Sequence, residues 1–207
     1  MCWSADVSLK TFLFSAFVFL FALLSGTFKP IILFSYLSFF LIQLIEYFLW
    51  KNLNNKKWNE FFSLMAFMLL LIHPMMLTLI ITNPETRQYF LYIYLIFLSL
   101  MLYMYTTNSK HIYSVSVAKN GHLIWNWTKY YNYVFYLYFV FFFALIIEKE
   151  YIVFIVILLT FMYSLYSYYS YNTFTSMWCW TANIIGIYII IRIIASKVNT
   201  PLLRKIK

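Results

Sequence analysis

At 207 residues the chain is 64% apolar and 24% aromatic, with only 10% charged residues, which excludes an ordinary soluble domain and describes a polytopic membrane protein. The net charge of +9 is scattered over loops between apolar runs and over the C-terminus, where Lys and Arg anchor spans at anionic leaflets; it is not a nucleic-acid signature. Two cysteines, Cys2 and Cys179, allow at most one internal disulfide, and neither a C-x-x-C pair nor a zinc pattern is present.

The first apolar run is Leu9 to Ser25. Its flank is nearly neutral, since Asp6 offsets Lys10, and another span follows at once, so it reads as a retained helix rather than a secretory signal. Thr27-Phe28-Lys29-Pro30 is a tight turn, with Pro30 suited to the first position of the next helix. The second span is Ile31 to Trp50, and a polar loop runs from Lys51 to Asn59. The third span, about Glu60 to Thr82, contains His73-Pro74, where an interior proline frees a carbonyl and kinks the helix. Spans four to seven follow at Gln88 to Thr107, Tyr131 to Ile147, Tyr151 to Tyr169 and Phe174 to Ala195. Each has roughly the 17–25 residues needed to cross a bilayer. Spans five and six share the shortest connection, Glu148-Lys149-Glu150, so a count of six is the nearest alternative.

Between spans four and five, Asn108 to Tyr130 changes pattern. Period-two alternation flanks Asn120-Gly121, which predicts a β-hairpin over about 111–128 that rests on one mouth of the bundle. Its two tryptophans, Trp125 and Trp127, are expected either against the bundle or at the head groups. The fold expected is therefore an all-α membrane bundle of about seven transmembrane helices in a single domain over 1–207, with one extramembrane hairpin between helices four and five. Orientation stays open, because seven basic residues fall on each side.

Chemistry concentrates in few places. Leu41 to Trp50 carries Gln43 and Glu46 inside a membrane-length run; a carboxyl there is costly and faces protein or water. Gln43, Glu46 and Trp50 fall on one helix face. The chain opens Cys2-Trp3-Ser4-Ala5-Asp6, and near the start of span seven it reads Cys179-Trp180-Thr181-Ala182-Asn183, a second copy of the pattern. With seven spans, both copies, the end of span two and the hairpin share one side. That predicts one site at the N-terminal mouth: Glu46 as acid/base or polar anchor, Cys2 or Cys179 as the thiol, and Gln43 and Asn183 as orienting amides, with Trp3, Trp50 and Asp6 nearby. His73 lies roughly 20 Å down a straight helix and lines the floor of such a site only in a hollow bundle. Structural readings stand beside these: a protonated, hydrogen-bonded Glu46, a small buried Cys179, and a His73 that serves the kink. Cys2 is open between nucleophile, acylation point and half of a disulfide. His111 and His122 read as loop residues. H-E-x-x-H, G-x-S-x-G and Gly-rich phosphate loops are missing, and three dispersed histidines argue against a buried zinc site.

The opening Met-Cys-Trp-Ser-Ala, the Gln-x-x-Glu-x-x-x-Trp that ends span two, and Trp178-Cys179-Trp180 together resemble a family of small polytopic membrane proteins of unknown function, found in bacteria and in large DNA viruses. The Phe- and Tyr-rich, Gly-poor composition is similar to the viral members, which implies a host or virion membrane. The resemblance names no activity and no cofactor; it marks the Cys, Gln, Glu and Trp positions as those to test. The functions expected are a binding or catalytic site for a lipid or small amphiphile, or alternatively a transporter or channel, or a non-catalytic scaffold. The bilayer is the expected partner, nucleic acid is not, and the oligomeric state is open.

Overall fold

The structure, a computed structural model, describes residues 4–107, 113–130, 132–181 and 183–204. Among the described residues, six helical stretches are long and apolar enough to cross a membrane, and a shorter apolar one covers Tyr136–Ile147. The chain is an all-α membrane bundle, an integral multi-pass protein. Residues such as Leu24 and Tyr166, 85% and 93% exposed, face outward as lipid-facing side chains do.

Local chemistry sets most helix ends. Helix α1 (Ala5–Ser25) starts at Ser4, whose hydroxyl accepts from the Val7 amide at 3.3 Å, and stops at Gly26 with φ 65°. Helix α2 (Pro30–Lys51) opens on proline. Helix α3 (Lys56–Leu79) is capped by Asn55, which accepts from the Trp58 amide, and holds Pro74 in its interior. Helix α4 (Pro84–Thr107) begins after Asn83, whose side chain accepts from the Thr86 amide. These helices start up to four residues earlier than hydropathy alone indicates, because the caps lie outside the apolar runs.

Rings lock the bundle together. Phe19 of α1 lies 6.2 Å from Phe34 and 6.0 Å from Phe40 on α2, and Phe39 of α2 lies 5.3 Å from His73 on α3. The fifth segment is interrupted: α6 (Asn132–Phe139), a 3-10 turn at Val140–Phe142 and α7 (Phe143–Ile147). It is followed by α8 (Tyr151–Tyr168). The seventh segment is two helices, α9 (Phe174–Thr181) and α10 (Ile184–Arg204), meeting at Asn183. The Asn183 side chain donates to the Cys179 and Trp180 carbonyls at 2.9 and 3.1 Å, which satisfies backbone groups freed at that break.

The hairpin forms from β1 (Val115–Val117) and β2 (Leu123–Trp125), antiparallel with Val115 opposite Trp125. It is shorter than the alternating pattern indicates. After Trp125 the chain turns into α5 (Asn126–Tyr130). The turn is also longer than a two-residue Asn-Gly loop. The Ala118 amide donates to the His122 carbonyl, and Gly121, at φ 78°, donates to the Ala118 carbonyl. That is a three-residue connection with glycine in the left-handed position. Trp125 and Trp127 are 0% and 2% exposed, so both lie against the protein rather than at head groups. Asn59 of α3 bonds both backbone groups of Val115, while Ser176 of α9 donates to the Leu123 carbonyl at 3.0 Å. The hairpin thus sits where α3 begins and α9 begins.

Candidate functional site

Helix α2 delivers three polar side chains to one face. Gln43 and Glu46 are both 0% exposed, with Trp50 half-buried one turn further on. Neither the Nε2 nor the Oε1 of Gln43 has a hydrogen-bond partner among the described residues, and the indole Nε1 of Trp50 has none either. An amide taken out of water without a compensating bond costs roughly 1–3 kcal/mol by mutational measures. Buried polar atoms are normally bonded, so a wholly orphaned amide in an oily bundle asks for a partner from outside the chain.

Cys179 of α9 comes to this stripe. Its thiol is buried, free of any disulfide, and within electrostatic range of the Glu46 carboxyl. The neighbouring Trp178 packs edge-on against Phe39 of α2 at 6.0 Å and against Tyr138 of α6 at 6.2 Å. Tyr138 is in turn an electrostatic neighbour of Cys179 and shares a hydrogen bond with Nδ1 of His73. Tyr138 and His73 are thus bonded to one another, and Trp178 packs both Tyr138 and Phe39. Phe39, which touches the His73 ring, is seven residues before Glu46, about 10 Å of helix rise.

Two cavities flank these residues. A groove of about 540 Å³ runs between α1, α8 and the α9–α10 break, with Lys10, Thr11, Phe14, Trp180 and Asn183 along it. A narrow cavity of about 60 Å³ enters from the opposite end, past Glu150 and Arg192, and reaches Tyr36, Phe39 and His73. At its mouth the Arg192 guanidinium bonds the Glu150 carboxylate at 2.5 Å and lies 4.9 Å from the Phe28 ring. Arg192 therefore has a carboxylate partner as well as a route to the interface.

The expected site residues divide as follows. Glu46 and Cys179 are both buried, on α2 and α9, and Gln43 and Trp50 lie on the same stripe as Glu46. Asn183 is near but committed: besides its two backbone acceptors, its Oδ1 takes the Ser15 hydroxyl at 2.5 Å, so it fixes the helix break rather than offering a free amide. His73 is buried at 4% exposure and lines the cavity that enters from the far end. Asp6 is exposed. Cys2, Trp3, His111 and Ala182 lie outside the described residues. His122 is not a free loop residue: it is 8% exposed and packs edge-on to Tyr168 at 5.5 Å. Tyr138 and Asn59 escaped notice in the sequence. Tyr138 is one of 20 tyrosines with no distinguishing neighbour pattern, and Asn59 reads as the end of a polar loop. Among the described residues no three His, Cys, Asp or Glu side chains gather as a metal site. No protein-family model, no curated protein and no solved structure matches the chain.

Proposed function

We propose that the chain binds a lipid or small amphiphile at the N-terminal mouth of the bundle, with a hydrogen-bonding head group held by Gln43, Glu46 and Trp50. The observation that carries this reading is the Gln43 amide: 0% exposed, with donor and acceptor both unfilled among the described residues. A head group bearing both a hydroxyl or amide donor and a carbonyl-type acceptor matches it. The Trp50 indole adds a donor, and Glu46 adds a carboxyl that accepts or, protonated, donates. A separate groove of about 540 Å³ beside Lys10 and Asn183, which shares no lining residue with that stripe, offers apolar room for a chain. The resemblance of Met1 to Ala5, Gln43, Glu46 and Trp50 to a family of small membrane proteins supports attention to the same positions and adds no activity.

The test is Gln43→Leu, read by native mass spectrometry and by thermal melting of the detergent-purified protein. Removing an orphaned buried amide for an apolar side chain of similar size is neutral or stabilising. The reading expects a retained amphiphile adduct on the wild type and loss of that adduct in Gln43→Leu, with the melting temperature equal or higher. A variant that melts lower and keeps any adduct assigns Gln43 to the fold alone.

A further inference from the structure

We propose that the chain holds a phospholipid at the mouth opposite Gln43. Its head group is zwitterionic and bears an amine; it sits on Arg192, Lys149 and Glu150, with the end of one acyl chain in the cavity behind them. The site shares no residue with the Gln43 face and does not rest on it.

The cavity has the lining of a chain site. Its walls come from three segments of matching length: Glu150 to Ile157 at the start of α8, Arg192 back to Ile185 on α10, and Ile32 to Phe39 on α2. Seven residues of helix rise about 10 Å, so the lining spans about that depth. The volume is about 60 Å³, well under the roughly 150 Å³ that takes a benzene ring. It is a narrow shaft that admits one chain end and excludes a sterol. Behind the charged mouth its walls are mainly aliphatic and aromatic, which suits hydrocarbon rather than water.

The mouth has the charges a head group needs. A vestibule of about 360 Å³ adjoins the shaft, and Glu150, Tyr188 and Arg192 wall both. It lies at head-group level. Glu150 ends the turn between α7 and α8, and Phe28, 4.9 Å from the Arg192 guanidinium, lies in the turn between α1 and α2. Glu150 and Arg192 join through one oxygen and one nitrogen, Oε2 and Nη1. Among the described residues nothing bonds Oε1 of Glu150, Nε or Nη2 of Arg192, or the Lys149 ammonium. A phosphate accepts from Arg192 and Lys149. A primary ammonium donates to Oε1 of Glu150. Glu148, the second carboxylate on the wall, already accepts from the Thr82 amide and hydroxyl at 2.7 and 2.9 Å. Two carboxylates and two cations cancel, so the vestibule favours a zwitterion over a head group of net negative charge.

Lys149 is the residue that the turn alone would not choose. The Glu150 amide donates to the Leu145 carbonyl at 2.8 Å and the Lys149 amide to the Ile146 carbonyl at 3.0 Å, a Schellman turn that ends α7. Lys149 stands in it at φ 62°, the left-handed position that glycine normally takes. A lysine gains nothing there as backbone, and it puts an ammonium on the vestibule wall.

The experiment is photolabelling. A phosphatidylethanolamine with a diazirine at the end of one acyl chain is added to the purified full chain in a neutral maltoside detergent, and labels are mapped by peptide mass spectrometry. Label is expected in the 150–157 and 185–192 peptides. Unlabelled phosphatidylethanolamine is expected to compete it away, and phosphatidylglycerol of the same chains to compete about tenfold less well, as loss of one charge-assisted bond implies. Lys149→Gly is expected to melt at the wild-type temperature or above and yet to label far less. Val153→Phe, which fills the shaft, is expected to lose the label, while Lys57→Gln, exposed at the other mouth, keeps it. Label at those peptides no stronger than on the outward segment around Leu24 overturns the proposal. So does equal competition by phosphatidylglycerol, and so does a folded Lys149→Gly that labels as the wild type does.

Discussion

Asn59 holds Val115 from both sides: its Oδ1 accepts the Val115 amide at 2.8 Å, and its Nδ2 donates to the Val115 carbonyl at 2.9 Å. Fifty-six residues separate the two, and the pair fastens an otherwise marginal two-stranded hairpin to the start of α3. Asn59→Ala leaves two buried backbone groups unsatisfied, at about 1–3 kcal/mol each. Amide exchange at Val115, Val117 and Leu123 is expected to accelerate strongly in that variant, while exchange in α1 and α2 stays as in the wild type.

Gly186 is a contact point between α10 and the first two helices. A Cβ there would stand 2.9 Å from the Tyr36 hydroxyl and 3.1 Å from a Phe14 ring carbon, closer than van der Waals contact permits. Gly186→Ala is therefore expected to destabilise by about 1–3 kcal/mol, as overpacked cores do. A lower melting temperature for Gly186→Ala, restored in part by Tyr36→Phe, is the expected pair of results.

The hairpin should be acid-sensitive. Burial holds the His122 imidazole below its ordinary value of 6.5. The unfolded hairpin then takes up a proton near pH 6.5, and the folded one only at lower pH. Stability is whole above about pH 6.5 and is lost as pH falls below it toward the folded value. Tryptophan fluorescence from Trp125 and Trp127 is expected to shift between pH 7 and pH 5 in the wild type, with the shift flattened in His122→Gln.

Periodicity and composition carry a long way here. The apolar runs coincide with the six helices long enough to cross a membrane and with the shorter Tyr136–Ile147 segment, and Asn120-Gly121 locates the hairpin. The segments that resist sequence reading are those where a side chain overrides the pattern. The seventh run looks continuous, but the Asn183 amide caps α9 and breaks it. The fifth run looks like one helix, but Val140–Phe142 forms a 3-10 turn within it. The α2 stripe is legible because helix spacing alone sets which residues share a face. The Tyr138–His73 bond is not, because no spacing rule links residues 65 apart. Nor does sequence show that the Asn183 amide is consumed by Ser15 and two carbonyls.

The central claim is that the face bearing Gln43, Glu46 and Trp50 meets a ligand from the bilayer rather than only the chain itself. Photolabelling with a diazirine-bearing amphiphile in lipid nanodiscs, mapped by peptide mass spectrometry, tests it most directly. The account predicts labels in the 43–50 and 176–183 peptides that an unlabelled amphiphile competes away and that Gln43→Leu abolishes. Labels confined to outward residues such as Leu24 and Tyr166, unchanged in Gln43→Leu, would contradict it.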